Sequence, residues 1–448
     1  MKTLFIVHDV YQNDNEFPLG PAYLSSILRQ NGHHVDTYCM DVYHHSNEQL
    51  GKYLDKTTYD IICLGFMSAR FTETVLPLCK VINKHKKKAK FVLGGPGASA
   101  TPEYILEKTG VDSVVVGEAE NSILNIKEGI NYSTHIKDLD TIPFLAWDLF
   151  PMNEYSNCMH VTGMTPTDKL LLMLSSRGCV NKCSFCFRME EGLRLRSISN
   201  IIEEIKILND TYNITYFEFA DEFFTLSKKR VREFNQALEE NNLKIKYWCA
   251  SRVKGVDEEI LQLMKDGGCS FINYGFESMD ADVLKTMDKN TTPEDNENAA
   301  LLTKEANIPF GLNFIWGFSN DNVHTLMKNV EFIKKYNLYG QVRTIRPCTP
   351  YPGCPLYYEA IKKELLSGPD DFYNKFKNSG LITVNFTDMD IKTMYSALYQ
   401  ANSVLIDDHY QNTTMTKTQS DNLKDSYHQL YFENNTKFRG VRSYDKEN

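Results

Sequence analysis

The sequence predicts an α/β protein: an N-terminal doubly wound parallel sheet, then a partial (β/α)6 barrel, then a mainly helical C-terminal segment. Three observations carry that expectation. Short apolar, β-branched runs alternate with amphipathic stretches over residues 1–130. The alternation breaks at 131–168, restarts, and repeats six times up to residue 365. From 366 to 448 it is lost, and the chain ends in a polar, Asn/Lys-rich tail. A chain of 448 residues exceeds one ordinary domain, and 42% hydrophobic content is ample for more than one core.

In the first domain the strands are "TLFIVHDV", "HVDTYCM", "YDIICLGFMS", "KFVLGGPGAS" and "DSVVVGEAE". Between the first two lies "PAYLSSILRQNG", apolar at helical spacing and stopped by Gly32. Five strands with helices between them imply a parallel sheet that binds ligands at its strand C-terminal ends. The turns "GGPGAS" and "GEAE" fall at those ends, where glycine lets backbone approach a ligand closely. Neither has the spacing of a dinucleotide site or a P-loop. The basic run Lys84–Lys90 sits where a helix ends, a position that favours cations. Residues 131–168 read as a linker packed between domains.

The second alternation runs through "LLLMLSS", "ITYFEFAD", "IKYWCASR", "SFINYGFES", "PFGLNFIWG" and "QVRTIRPCTP", with helices such as "ISNIIEEIKILNDTY" and "DEEILQLMKDGG" between them. Strands at βα spacing make a parallel barrel or an open part of one, with its chemistry at the strand C-terminal ends. After it, "DIKTMYSALYQANSVL" reads as a helix, and Leu366–Asp388 as either a lid over the barrel mouth or a plain capping helix and loop.

Composition excludes several classes. A net charge of −9 argues against a broad nucleic-acid surface. No apolar run reaches the roughly 18 residues of a membrane span, and "MKTLFIVHDVYQ" reads as a strand rather than a signal peptide, so a cytoplasmic protein is expected. The pairs His33-His34 and His44-His45 read as surface or turn histidines. Of eleven cysteines, Cys39, Cys63, Cys79, Cys158, Cys249, Cys269, Cys348 and Cys354 are scattered and read mostly as buried small hydrophobes.

The remaining three, Cys179, Cys183 and Cys186, crowd into "CVNKCSFC" directly after the first barrel strand. A structural zinc site wants four ligands, and nothing positions Cys158 as the fourth. Three thiolates fit a [4Fe–4S] cluster with one iron open to an outside ligand, with zinc or a plain thiol cluster as the alternatives.

That spacing, with aromatic Phe185 before the last cysteine, resembles the radical S-adenosylmethionine (SAM) enzymes. The likeness extends through "EFADEFFT", "WCASRV", "YGFESMDADVLKTMDK", "FIWGFSNDN" and "RPCTPYPGCPLYYEA". It implies that the open iron chelates SAM, whose reductive cleavage yields a 5′-deoxyadenosyl radical. By the same resemblance Asp221 and Glu222 reach the SAM amino group, unless one only caps the next helix. Arg252 pairs with the SAM carboxylate and Glu277 accepts from a ribose hydroxyl, with a rim salt bridge as the alternative for each. Phe185 flanks the site, and Gly317, Arg346 and Thr349 flank adenine.

A Rossmann-like domain ahead of such a barrel is similar to the cobalamin-binding subclass. "FPLGPAYLSSILRQNGHHVD", "VLGGPGASATPEYIL" and "DSVVVGEAENSIL" carry this resemblance, which places the corrin near Ser68, Gly94, Gly95, Ala98, Gly117 and Glu118. The sequence departs from the pattern twice. It has no DxHxxG segment, and Gly97 stands where a histidine usually follows "GGP". A domain that no longer holds cobalamin is the alternative. The expected reaction is methylation of an unactivated carbon in a small molecule or peptide, fed by an external one-electron reductant. Rearrangement without methyl transfer and a metal-stabilised interaction protein are the other readings. Arg343, Arg346 and Tyr351 are candidates to grip an anionic group.

Overall fold

The computed structural model describes residues 1–9, 16–157, 161–189, 192–225, 227–438 and 440–441. Its first sheet contains β1 (Lys2–Val7), β2 (His34–Cys39), β3 (Ile61–Gly65), β4 (Lys90–Gly94), β5 (Ser113–Val116) and β6 (Gly129–Tyr132). The order is β2-β1-β3-β4-β5-β6, parallel throughout. Central strands are apolar on both faces because helices cover both: Leu4, Phe5, Ile6, Phe91, Val92 and Leu93 are all buried. The helix Leu19–Gln30 ends as expected at Gly32, with φ at +74°.

Five of these strands were expected. The sixth, β6, was missed because "GINY" is a short edge strand, half-buried and without an apolar run. The segment expected as a packed linker makes specific contacts. Ala146 N–H donates to the Ala22 carbonyl at 3.3 Å, Tyr155 donates to Asp41 at 2.8 Å, and the Phe150 ring meets Phe17 at 5.4 Å. Residues up to 157 therefore pack onto the first sheet and its helices. Cys158 lies outside the described residues.

The second set of strands is β7 (Leu170–Met173), the antiparallel pair β8 (Ser176–Cys179) and β9 (Gly192–Leu195), then β10 (Tyr216–Phe219), β11 (Lys246–Ser251), β12 (Cys269–Glu277), β13 (Phe310–Trp316) and β14 (Arg346–Pro347). Six of them form a parallel sheet in chain order, β7-β10-β11-β12-β13-β14, and each matches one of the six expected barrel strands. The β8–β9 hairpin was not expected.

The chain divides into two compact units. One comprises residues 1–180, 187–221 and 351–353; the other comprises 181–186, 222–350 and 354–448. The division falls away from the expected linker, since β7 to β10 group with the first sheet.

In the second unit, period-two alternation gives β12 and β13 distinct faces. On one face Phe276 stacks on Phe314 at 5.8 Å, and both meet Phe332 of the helix Val323–Tyr336. Burying each such ring contributes about 1.5–3 kcal/mol. At the end of the sheet Asn402, fully buried in the helix Ile391–Asn412, accepts from Ile345 N–H at 2.8 Å and donates to its carbonyl at 3.1 Å. One carboxamide thus does what a neighbouring strand would do for that residue. In the candidate lid segment, Phe372 and Tyr373 are buried and Asn378 donates to the Thr436 and Phe438 carbonyls. It is a packed cap within this unit.

The turn after β4 is close-packed at one glycine. A Cβ at Gly97 would come within 2.5 Å of the Phe66 ring, whereas one at Gly94 would meet nothing within 4 Å. Gly97→Ala is expected to lower stability by about 1–3 kcal/mol, and Gly94→Ala to stay within about 0.5 kcal/mol. Thermal unfolding of the two variants side by side checks both.

Candidate active site

In the first sheet the strand order changes direction between β1 and β3, the place where open α/β sheets receive ligands at their C-terminal ends. The structure brings most of the expected corrin residues to that edge. Ser68 opens the turn after β3, and Gly94 ends β4. Gly95 has φ at +83°, and its Cβ would press on Phe66 backbone at 3.1 Å. Gly117 N–H donates to Ser99 Oγ at 3.1 Å. Two expected contacts are placed differently. Ala98 is fully buried and shapes the turn, and Glu118 is 6% exposed with its carboxylate in ion pairs with Arg177 and Arg194. Those guanidinium groups hold the Glu118 pKa below the usual carboxylate value although burial pushes the other way.

This edge also holds polar atoms without partners. His8 Nδ1, just past β1, and Thr101 Oγ1, just past the helix Gly95–Ala100, are buried with no hydrogen bond. Burial lowers the His8 pKa and keeps the ring neutral. Met67 is 60% exposed beside Ser68. Open glycine turns, an exposed apolar side chain and buried polar atoms lacking partners fit a large, amphipathic cofactor such as cobalamin.

Cys179 ends β8, and Cys183 and Cys186 follow in the loop of the second unit. Ser184 holds that loop from both sides: its N–H donates to Met287 O and its carbonyl accepts from Leu356 N–H, each at 2.8 Å. The Phe185 ring packs edge-on against Phe318 at 6.1 Å and lies under Lys289 Nζ at 5.8 Å. Cys183 is buried and Cys186 is exposed. Among the described residues no three metal-ligating side chains already share one array.

Electrostatics around the loop favour thiolate at Cys183. Donation from Cys186 is the largest cause that brings the Cys183 pKa down to about 6, and Lys289 and Arg252 add to it against burial and Glu277. The Cys186 thiol moves up in exchange, as the donor of the pair. Thiolate is the form that binds metal, so the donor set fits an iron–sulfur cluster.

Arg252 donates to Asn181 Oδ1 inside the cysteine loop and to the Lys289 carbonyl, while its Nε is buried with no partner. Glu277 accepts from Lys289 Nζ at 2.8 Å, with both side chains buried. It sits at a register shift at the end of β12 with φ at +64°, a sparsely populated conformation for a side chain of its size. A Cβ at Gly275 would come within 2.2 Å of its carboxylate, so the glycine two residues earlier leaves the ion pair its place.

Asp221 and Glu222 separate. Asp221 is 2% exposed and accepts from Ser175 N–H at 2.7 Å and from the Ser175 and Ser176 hydroxyls at 2.5 and 2.7 Å. Burial raises its pKa, and those donors oppose the shift. Its lone pairs are committed to the segment after β7, while Glu222 lies at the surface. Gly317 has φ at +110°; its N–H and that of Phe318 donate to Asp321 at 2.8 and 3.0 Å. Arg346 is exposed and Thr349 half-buried near the same strand ends.

Sequence reading missed Lys289, Asn181, Asp321 and the Ser175–Ser176 pair. Of these only Asp321 had a local signal, standing four residues after the glycine whose turn it caps.

Two expectations follow. Lys289→Met leaves the Glu277 charge buried and unpaired, and should cost about 3–5 kcal/mol in stability, much of it recovered in the Glu277→Gln/Lys289→Met double variant. Calorimetry of all three proteins checks this. Burial raises the Asp321 pKa to about 6, against the Thr325 hydroxyl and two backbone N–H groups that lower it. A carboxyl with a folded pKa above its unfolded value favours the fold at low pH. That contribution fades between about pH 4 and pH 6. Wild type should therefore lose stability relative to Asp321→Asn from pH 4 to pH 7, by at most about 3 kcal/mol. Unfolding midpoints across that range read the difference.

Residues 173–333 match the radical SAM superfamily and residues 12–127 match the B12-binding domain. An uncharacterised methyltransferase of Pyrococcus horikoshii is 29% identical over 381 residues, spanning 78% of this chain and 79% of its own. An anaerobic magnesium-protoporphyrin IX monomethyl ester cyclase of Rubrivivax gelatinosus is 24% identical over 395 residues, 80% of this chain and 70% of its own. Among solved structures, the radical SAM methyltransferase TsrM of Kitasatospora setae, with cobalamin and a [4Fe–4S] cluster bound, superimposes with a TM-score of 0.63. It is 17% identical, over 81% of this chain and 78% of its own, which speaks to the fold. The chain thus carries a B12-binding domain followed by a radical SAM domain, the combination of an enzyme whose cofactors are a [4Fe–4S] cluster, SAM and cobalamin.

Proposed function

We propose that the enzyme methylates an unactivated carbon of a small-molecule or peptide substrate. The observation that supports this most is the cysteine loop itself: three thiols at CxxxCxxC spacing in a chain that also carries a B12-binding domain. When bound, the cluster and SAM supply a 5′-deoxyadenosyl radical, and cobalamin supplies the methyl group.

The chain's own residues bind, orient and shield. Cys179, Cys183 and Cys186 are the cluster ligands in this reading. Arg252, already fixed by Asn181, keeps one buried guanidinium N–H for the SAM carboxylate. Glu222 takes the SAM amino group, because Asp221 is committed to two serines. Glu277 faces the ribose, and Gly317, Arg346 and Thr349 flank adenine, with Gly317 held open by Asp321. The strand-end turns at Ser68, Gly94, Gly95 and Gly117 receive the corrin. An external one-electron reductant and a cytoplasmic location, where thiols stay reduced, complete the proposal.

A second reading, cyclisation or rearrangement without methyl transfer, is favoured by the likeness to the Rubrivivax cyclase. Product counting separates the two. Methylation yields S-adenosylhomocysteine together with 5′-deoxyadenosine, whereas rearrangement yields 5′-deoxyadenosine alone.

Protein reconstituted without oxygen should hold about four irons per chain. Cys183→Ala should lower iron and acid-labile sulfide at least about tenfold and abolish SAM cleavage, while Cys354→Ala, at a buried thiol outside the loop, should retain both. Intact cleavage by Cys183→Ala sinks the assignment.

A further inference from the structure

We propose that Glu118 is a positioning residue for Cys179: through Arg177 and Arg194 it locks the β8–β9 hairpin to the strand-end turn of the B12-binding domain. The proposal rests on the reading that Cys179 is a cluster ligand.

The hairpin is weak by itself. Its ladder has four residue pairs, Ser176↔Leu195, Arg177↔Arg194, Gly178↔Leu193 and Cys179↔Gly192. An isolated two-stranded ladder is marginal in water. This one also sets two arginines directly opposite each other, an arrangement that repels. Their side chains are only 14% and 12% exposed, so water does little to screen them.

Glu118 resolves the conflict. Its two carboxylate oxygens take both forks of Arg194, at 2.5 and 2.9 Å, and one of them also faces Arg177 at 3.4 Å. Glu120 accepts from Arg177 at 2.7 Å, and the Tyr23 ring lies 4.9 Å from that guanidinium. Arg194 further donates to the Ile136 carbonyl. Two cations and two anions are thus balanced in a buried set that joins β8 and β9 to the turn after β5.

Stability alone does not explain such a set. Buried ion pairs are often replaceable by apolar side chains without loss, and their best-attested use is to fix a register. The register here decides where Cys179 stands, because that residue is paired with Gly192 two positions beyond the arginine pair. Backbone geometry allows no slack. Gly178 has φ at +86°, and a Cβ there would meet the Gly192 carbonyl at 2.4 Å. The same turn carries Gly117, whose N–H is held by Ser99 beside the glycines at the end of β4. The edge that receives the corrin and the strand that presents a cluster cysteine are therefore joined by one carboxylate.

The test uses the full-length protein and needs no substrate. In Glu118→Gln, amide exchange of residues 176–195 in the apoprotein should rise about tenfold, with β1 to β4 unchanged. The electron paramagnetic resonance signal of the reduced, reconstituted cluster should shift, and SAM cleavage should fall about tenfold. Corrin uptake, read by absorbance, should stay within about twofold. Arg194→Gln should match it, and the double variant should be no worse than either single one. Should Glu118→Gln fail to fold, Arg194→Lys keeps the charge without the fork and reads the same quantities. Loss of corrin uptake with unchanged exchange would make Glu118 a corrin contact and overturn the proposal. Unchanged exchange, or raised exchange with a wild-type cluster signal, overturns it as well. If wild type assembles no cluster, the proposed function fails and Cys179 has no cluster to be positioned for, while exchange still reports whether the ion pairs hold the hairpin.

Discussion

Parallel strand direction is the constraint on which the rest depends. A parallel strand can be followed by another only after a crossover, and each crossover begins at the same sheet edge. Every loop that leaves a C-terminal strand end is therefore gathered there, in the first sheet and in the second. That is why Ser68, Gly95 and Gly117 share one edge, and why Arg252, Glu277 and Gly317 end β11, β12 and β13 in turn. The same edges carry the unusual backbone: Gly95, Gly117 and Gly317 have positive φ, as does Glu277. Strain of that kind costs on the order of 1–3 kcal/mol at a residue with a side chain, and persists only where surroundings over-determine it. For Glu277 the surroundings are the buried Lys289 ammonium and the missing Cβ of Gly275.

Charge placement then follows from desolvation. In the second unit the buried Lys289–Glu277 pair and the Arg252 guanidinium are not closed off from the cysteine loop. Lys289 neutralises Glu277 and still acts on Cys183, and Arg252 holds Asn181 while one of its N–H groups has no partner. A loop of thiols surrounded by such cations is prepared to hold anionic sulfur.

Legibility in the sequence divided along the same physics. The six barrel strands were readable because a buried parallel strand is an apolar run of fixed length, recurring at βα spacing. The cysteine loop was readable because its ligand spacing is local. What escaped was whatever is defined only by a tertiary partner. The strand β6 pairs with the ladder that β5 offers it, and the facing arginines of β8–β9 meet Glu118 and Glu120 from a distant turn. Lys289 is one lysine among many until Glu277 is placed beside it. Asp221 and Glu222 are adjacent carboxylates in sequence, and only the folded chain shows that Ser175 and Ser176 claim the first.

The two faces of β11 to β13 are built differently. One face is filled: Tyr247, Tyr274, Phe276, Phe314 and Trp316 are buried against helices. The other face mixes small, polar and aromatic residues. Gly275 and Gly311 lack a Cβ, and one at Gly311 would collide with Asn273 at 2.0 Å. Asn313 donates to Asn273 Oδ1 and to the Tyr274 carbonyl, both at 2.8 Å, and is itself exposed. Trp248 packs edge-on against Phe271 at 6.2 Å, its indole N–H buried without a partner, and the Arg343 guanidinium lies 5.8 Å from the same ring. A face built only to stabilise the fold would have been closed with aliphatic side chains. This one combines bulk, amides and a cation, the composition of a surface that recognises a ligand.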